Sequence, residues 1–135
     1  MEHYEDMLRL NPNDNQGIRD VLAACYAQLG DDARLQALLD RYPDDATAVW
    51  RYMRALLLFR QTGDSPEARA QLKEAMTHNR HVPAYLLGRK RLPRQLPPYY
   101  GFGDENEAIY YAVEFIGGWQ ATPGALEWLA RQGKA

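Results

Sequence analysis

Histidine, cysteine and paired carboxylates are the side chains of this chain that could support catalysis or hold a metal. His78 and His81 lie three residues apart, a spacing that can place two metal ligands on one face of a helix. No third ligand follows at a useful spacing, and Pro83 predicts that the helix has ended near Asn79. We therefore expect surface or capping histidines, no metal site and no cofactor.

Nucleophilic and acid–base chemistry have no stronger support in the sequence. Cys25 lies among small and aromatic residues of a predicted helix, where a core position is a simpler interpretation than a nucleophile. The pair Asp31 and Asp32 stands at a predicted helix start, where capping and the helix dipole account for acidic residues. The chain has no Gly-rich phosphate loop and no Gly-x-Ser-x-Gly motif. These observations predict a protein that is not an enzyme.

A basic run in the middle of the chain could bind an anionic partner. It comprises Arg89, Lys90, Arg91 and Arg94. The net charge of −2 divides into −6 over residues 1–45, +7 over 46–103 and −3 over 104–135. A nucleic acid or an acidic peptide would fit this run, but a solvated face attracted to acidic segments of the same or a neighbouring molecule is favoured. The pI near 5.9 argues against a dedicated nucleic-acid binder.

An aromatic cluster, Tyr99, Tyr100 and Phe102, follows the pair Pro97–Pro98. It could stack on a partner or on a nucleic-acid base. Alternatively, it could fold back and cover the apolar side of residues 49–59. We favour this second interpretation, because a long loop without packing of its own is unusual in a compact domain.

The composition places these residues in one globular domain. The chain has 135 residues, of which 46% are apolar and 25% charged. The longest apolar run, 21–27, is too short to cross a bilayer, and the acidic N-terminus does not look like a secretory signal. A single cysteine excludes an internal disulfide framework. We therefore expect a reducing, cytoplasmic location.

The main signal in the sequence is an internal repeat with helical spacing. Two apolar residues, an aromatic residue one turn later and a Gly-Asp pair recur at an offset of 33 residues, so that Tyr26 corresponds to Phe59 and Gly30 to Gly63. A second amphipathic segment follows each glycine. Glycine ends a helix well because it tolerates positive φ, and Ser65 before a proline is a strong helix start.

This pattern resembles the tetratricopeptide repeat. Both units carry the family's apolar pair, aromatic residue and glycine, although Arg19 and Tyr52 stand where the family often has tryptophan. The resemblance implies an all-α protein in which helical hairpins stack into a short right-handed solenoid. Pro43 arrives early, so the second helix of the first unit should be about one turn short.

The repeat predicts a single helical-repeat domain over residues 1–135. Residues 1–12 would end a preceding repeat, which favours a fragment of a longer protein, and Asn13 with Gln16 would cap the next helix. Two repeats follow at 13–45 and 46–79, then an irregular Pro/Tyr-rich insertion at 80–103 and a closing helix pair at 104–133. A capping box, Asp104-x-x-Glu107, opens this pair. Its first helix should run to about Gly117 with Ile109, Ala112, Val113 and Ile116 facing inward, and Thr122–Pro123 should open the second.

The C-terminal part also resembles the suppressor-of-tumorigenicity-7 family and bacterial tetratricopeptide proteins that share its tail. The resemblance covers roughly residues 46–130 and is carried by the stretches 81–87 (HVPAYLL), 96–98 (LPP), 103–109 (GDENEAI) and 124–126 (GAL). It implies one repeat unit, a linker and a closing helix pair, and it implies no catalytic residues.

The leading functional prediction is a non-catalytic scaffold that binds a peptide or partner protein on the concave face of the repeats. By helical register, the face is predicted to include Asp20, Ala24, Ala27, Gln28, Trp50, Met53, Leu57, Arg60, Gln61, Tyr110 and Glu114. Arg60 would recognise a carboxylate, so an acidic or amphipathic peptide is expected. Alternatives are a nucleic-acid accessory domain using the basic run and self-association through an exposed apolar end at residues 4–10.

Overall fold

A computed structural model describes Glu5 and residues 16–132 of the chain, and in this part it contains seven helices and no strand. The all-α class is therefore confirmed. None of these helices is long and apolar enough to cross a membrane. Apart from Glu5, the predicted end of a preceding repeat at 1–12 lies outside the described residues, and so does the predicted cap formed by Asn13 with the side chain of Gln16. The helices are α1 Gln16–Leu29, α2 Asp32–Arg41, α3 Ala48–Thr62, α4 Pro66–His78, α5 Val82–Leu86, α6 Glu105–Gln120 and α7 Ala125–Gln132.

The predicted ends of α1 and α3 and the predicted starts of α2 and α4 are confirmed. Gly30 and Gly63 follow α1 and α3 with φ of +74° and +66°, a conformation that side chains rarely adopt. Asp31 caps α2 by accepting a hydrogen bond from the backbone N–H of Arg34. Ser65 does the same for α4 with the backbone N–H of Ala68. With 10 residues against the 13 of α4, α2 is the shorter second helix, as expected.

These helices pack as neighbouring pairs. The contact between α3 and α4 is the most extensive, and α2 packs on both α1 and α3. The indole of Trp50 lies between α2 and α3, where its Nε1 donates to the carbonyl oxygen of Leu39 at 3.3 Å. Arg19 stacks 4.2 Å from the centre of the Tyr42 ring and pairs with Asp45 at 3.3 Å.

The sixth helix, α6, returns to pack along the first helix, α1. Its Gly118 permits this close approach, because a Cβ there would lie 2.9 Å from the Cβ of Ala27. On α3, the ring of Tyr52 contacts Tyr111 at a centroid distance of 5.3 Å. Further along α3, Phe59 stacks on Trp128 of α7 at 4.6 Å. As a result, α6 and α7 cover the side of α1 and α3 on which the open groove was predicted.

The start of α6 is as predicted, and its buried face is as predicted in part, since Ile109 and Ala112 are buried. Asp104 accepts a hydrogen bond from the backbone N–H of Glu107 at 2.8 Å, and the helix continues to Gln120. The predicted inward stripe is partly wrong, because Val113 is 44% exposed. The face packed against α1 and α3 instead carries large aromatic residues at four-residue spacing, which bury more apolar area: Tyr111, Phe115 and Trp119. The last helix begins at Ala125, after the predicted opening at Thr122–Pro123.

The Pro/Tyr-rich insertion begins in the core and continues on the surface, since Val82 and Leu86 of its first part are buried and residues 88–96 are exposed. It contains the short helix α5, after which Gly88 adopts a φ of +73°, and no helix between α5 and α6. The expectation that its aromatic residues cover residues 49–59 is met only in part: Tyr99 and Phe102 are 78% and 67% exposed, whereas Tyr100 lies beside Val49. Further along α3, Tyr52 and Phe59 are covered by aromatic side chains of α6 and α7.

Candidate functional site

Arg60, which was predicted to recognise a partner's carboxylate, instead forms hydrogen bonds between helices inside the protein. The Arg60 guanidinium donates to Asp32 Oδ1 and to Thr122 Oγ1, both at 2.8 Å, and to the carbonyl oxygens of Ala27 and Gly118. The two carbonyls lie in the last turns of α1 and α6, where helical oxygens lack intrahelical partners. With its side chain 9% exposed, Arg60 joins α1, α2 and α6 and offers no surface to a peptide.

Most of the other predicted groove residues also face away from an open groove. Trp50, Met53 and Leu57 are fully buried, so their side chains lie in the core of the protein. Gln28 and Gln61 are exposed, and Gln61 Nε2 donates to a side-chain oxygen on α2 at 3.5 Å. The structure therefore does not bring these residues together on one binding face.

Three predicted groove residues do meet. Asp20 of α1 and Tyr110 and Glu114 of α6 line one cleft with Tyr100 of the insertion, and we call this the tyrosine cleft. Its volume is about 40 Å³, more than one water molecule requires and far less than a cofactor pocket. The remaining lining residues come from the start of α3 and from α6: Thr47, Ala48, Val49, Glu107, Tyr111 and Phe115.

Two tyrosine rings form the aromatic part of this cleft. The ring centroids of Tyr100 and Tyr110 are 4.8 Å apart, and the ring planes make an angle of 41°. The hydroxyl of Tyr110 donates to the carbonyl oxygen of Pro97, which holds the insertion against α6. Tyr100 was not among the predicted groove residues, although the aromatic cluster to which it belongs was expected to fold back on residues 49–59, and it lies beside Val49 and Tyr110.

The tyrosine cleft is electronegative. Burial raises the pKa of the Tyr100 hydroxyl, and the negative charges of Asp20, Glu107 and Glu114 raise it further. Desolvation also raises the pKa of the Glu114 carboxyl, although part of that side chain remains exposed. The described residues that line the cleft include no Lys, Arg or His. The cleft is therefore suited to a positively charged group.

Behind the cleft, a buried carboxylate joins four segments of the chain. Glu107 Oε1 accepts hydrogen bonds from His78 Nε2 and Asn79 Nδ2, both at 3.0 Å, and from the backbone N–H of Gly103 at 2.9 Å. Its Oε2 accepts from the backbone N–H of Ala48 at 3.1 Å, at the start of α3. The predicted capping box is thus only half formed, since Glu107 serves other segments instead of its own helix cap.

The histidines considered as metal ligands have structural partners in the part of the chain that the structure describes. The ring of His78 is hydrogen-bonded to Glu107 through Nε2, and the backbone N–H of His81 donates to the side-chain oxygen of Asn79 at 3.0 Å. Within residue 5 and residues 16–132, no cluster of three or more histidine, cysteine or acidic residues could hold a metal ion. Cys25 is a half-buried free thiol on α1.

The predicted basic patch is exposed. Arg89, Lys90, Arg91 and Arg94 all lie on the surface of the insertion, beyond α5. Lys90 Nζ pairs with Glu105 at 2.6 Å, and the Tyr85 hydroxyl donates to the same carboxylate. These two hydrogen bonds lower the pKa of Glu105.

Comparison of the chain with protein-family models, with curated proteins and with solved structures found no match.

Proposed function

We propose that this chain is a non-catalytic protein-binding module, built from tetratricopeptide-like helix pairs, whose tyrosine cleft binds a basic side chain of a partner protein. The observation that carries the proposal is the composition of that cleft. Two tyrosine rings and the carboxylate of Glu114 line it, together with Asp20, and none of its described lining residues is a Lys, Arg or His. Carboxylates with aromatic faces favour a guanidinium or an ammonium group.

The repeat pattern supports the interaction role. The offset of 33 residues relates two helix pairs, α1 with α2 and α3 with α4, and each first helix ends at a glycine with positive φ. Helical repeats of this kind commonly present a binding face on their first helices. Here α6 covers most of that face, so binding is proposed for the part at the start of α3 that stays accessible.

The cytoplasmic location stays a prediction that rests on Cys25.

The proposed partner is basic, the reverse of the acidic peptide expected from Arg60. Four of the five guanidinium N–H groups of Arg60 already donate to Asp32 and three further acceptors, and the side chain is only 9% exposed, so it offers little to a partner's carboxylate. The cleft volume of about 40 Å³ admits the end of one side chain and excludes a larger ligand. We therefore expect recognition of a single arginine or lysine, with the rest of the peptide lying on the surface.

Calorimetric titration with a short arginine peptide, and with the same peptide carrying neutral citrulline, tests this proposal. The arginine peptide should bind the unmodified protein, and both Glu114→Gln and Tyr100→Leu should weaken binding about fivefold, since each removes one favourable contact with the cation. Glu127→Gln is the matched control, because Glu127 is an exposed acid on α7 outside the cleft. Equal affinity of the arginine and citrulline peptides, or equal losses in Glu114→Gln and the control, would refute the role of the cleft.

A further inference from the structure

A second surface of the chain combines exposed apolar side chains with unneutralised positive charge. Within the described residues, seven large hydrophobic side chains are exposed, and three of them lie in residues 89–99, which we call the basic–apolar strip: Leu92, Leu96 and Tyr99. Two more, Tyr100 and Phe102, follow it directly. Isolated exposed apolar residues are normal on protein surfaces, but their concentration in one segment indicates an interaction site.

Three of the four cations of the strip are not neutralised by acids among the described residues. Lys90 pairs with Glu105, whereas Arg89, Arg91 and Arg94 have no carboxylate within 4.0 Å in the part of the chain that the structure describes. The sequence contains no acidic residue between Glu74 and Asp104. The strip therefore carries three guanidinium groups whose positive charge is available to a partner.

The backbone of the strip is held in place at both ends. At its start, the backbone N–H groups of Arg89 and Lys90 donate to the carbonyl oxygen of Ala84 at 2.8 and 3.1 Å. At its end, Asn106 Nδ2 donates to the carbonyl oxygen of Tyr99 at 3.4 Å, next to the contact that Tyr110 makes with Pro97. Proline at three positions restricts the backbone further. The apolar side chains are thus exposed on a segment whose backbone is already ordered, which reduces the entropy lost on binding.

From these observations we infer that the basic–apolar strip is a docking surface for an acidic segment of a partner protein, one that carries carboxylates beside apolar side chains. Arginine forms paired hydrogen bonds with carboxylates, and arginine and tyrosine are enriched in protein interfaces. Of the three exposed apolar side chains of the strip, Tyr99 alone offers a ring on which a nucleic-acid base could stack, because Leu92 and Leu96 are aliphatic. The net charge of −2 also disfavours a polyanion as long as a nucleic acid. The strip is separate from the tyrosine cleft, and its partner chemistry is the opposite.

Fluorescence anisotropy of a labelled peptide of alternating Glu and Leu tests the inference. The unmodified protein should bind this probe more tightly than the same peptide with Gln in place of Glu. The double substitution Arg89→Glu with Arg91→Glu should weaken binding about tenfold, since it replaces attraction by repulsion at the contact. The control is Lys73→Glu with Arg131→Glu, which changes the net charge by the same amount at exposed sites outside the strip. It should change affinity less than about twofold.

A second double variant tests the contribution of the apolar side chains of the strip. Leu92→Ser with Leu96→Ser should weaken binding of the same probe about fivefold and leave its salt dependence unchanged, because the charges remain. Circular dichroism confirms that each variant is folded. Equal effects of the two charge variants would overturn the inference, as would equal binding of the Glu and Gln probes. Tighter binding of an oligothymidylate than of the acidic peptide would assign the strip to nucleic acid instead. None of these outcomes depends on the tyrosine cleft, which the arginine peptide tests separately.

Discussion

The internal role of Arg60 leads to a quantitative prediction for stability. Arg60→Met keeps the length of the apolar stem but removes donors to Asp32, Thr122 and two helix-terminal carbonyl oxygens. A hydrogen bond to a charged group contributes about 1.5–3 kcal/mol, and bonds that share one donor group do not add fully. Asp32 is 39% exposed at its side chain and regains solvation, which lowers the loss. We expect the free energy of unfolding to fall by about 3 kcal/mol.

Urea unfolding followed by circular dichroism at 222 nm measures this change. A loss of this size should also lower the thermal midpoint by about 10 °C in a domain of this length. Arg54→Met is the matched control on the same helix, because its guanidinium makes one exposed hydrogen bond, to the carbonyl oxygen of Pro43 at 3.1 Å. The control should lose less than about 1 kcal/mol. Equal losses for the two variants would show that Arg60 does not hold α1, α2 and α6 together.

Two further predictions concern helix packing and pH. Gly118→Ala should destabilise the protein by about 1–3 kcal/mol, because its Cβ would lie 2.9 Å from that of Ala27. In the control variant Gly17→Ala on α1, the new Cβ meets nothing within 4 Å, so the change should be neutral or stabilising. Urea unfolding that ranks the two variants in the reverse order would contradict the close approach of α1 and α6. The hydrogen bond from Lys90 lowers the pKa of Glu105. A carboxyl whose pKa is lowered in the folded state stabilises the fold at pH values above its ordinary pKa of 4.5, and it loses that effect as the pH falls through its pKa in the folded protein. The difference in thermal midpoint between the unmodified protein and Glu105→Gln should therefore be constant from neutral pH to about pH 5 and shrink below it; a difference that grows on acidification would contradict the assigned sign.

The helix boundaries were predictable because each depends on a few neighbouring residues. Gly30 and Gly63 are needed for positive φ directly after a helix, and Ser65 and Asp104 cap the next backbone N–H groups. These requirements act over three to five residues and therefore appear directly in the sequence. They do not specify which helices meet.

The composition of α3 explains why its sequence does not indicate which helices it contacts. Seven of its residues are buried, and apolar side chains surround most of the helix, so hydrophobic periodicity does not indicate which side faces α2 and which faces α6. Arg51, Arg54 and Arg60 have the same chemistry, yet only the last is inside the protein. Its acceptors Thr122 and Gly118 are 62 and 58 residues away in sequence, beyond any local pattern.

The packing of α6 also restricts where a partner can bind. A peptide that entered between α1 and α3 would have to separate α6 from them and break the hydrogen bond from Arg60 to Gly118. It would also expose aromatic side chains that α6 now buries, among them Trp119. A ligand shifts such an equilibrium only by the amount by which it favours the opened state, so a weakly bound peptide leaves α6 in place.

Binding at the tyrosine cleft and the basic–apolar strip requires no such separation, because their charged and apolar side chains are already accessible on an ordered backbone. Disulfide cross-linking of α6 to α1 therefore separates the two modes: binding that survives the cross-link occurs on these surfaces, and binding that is lost requires the opened groove.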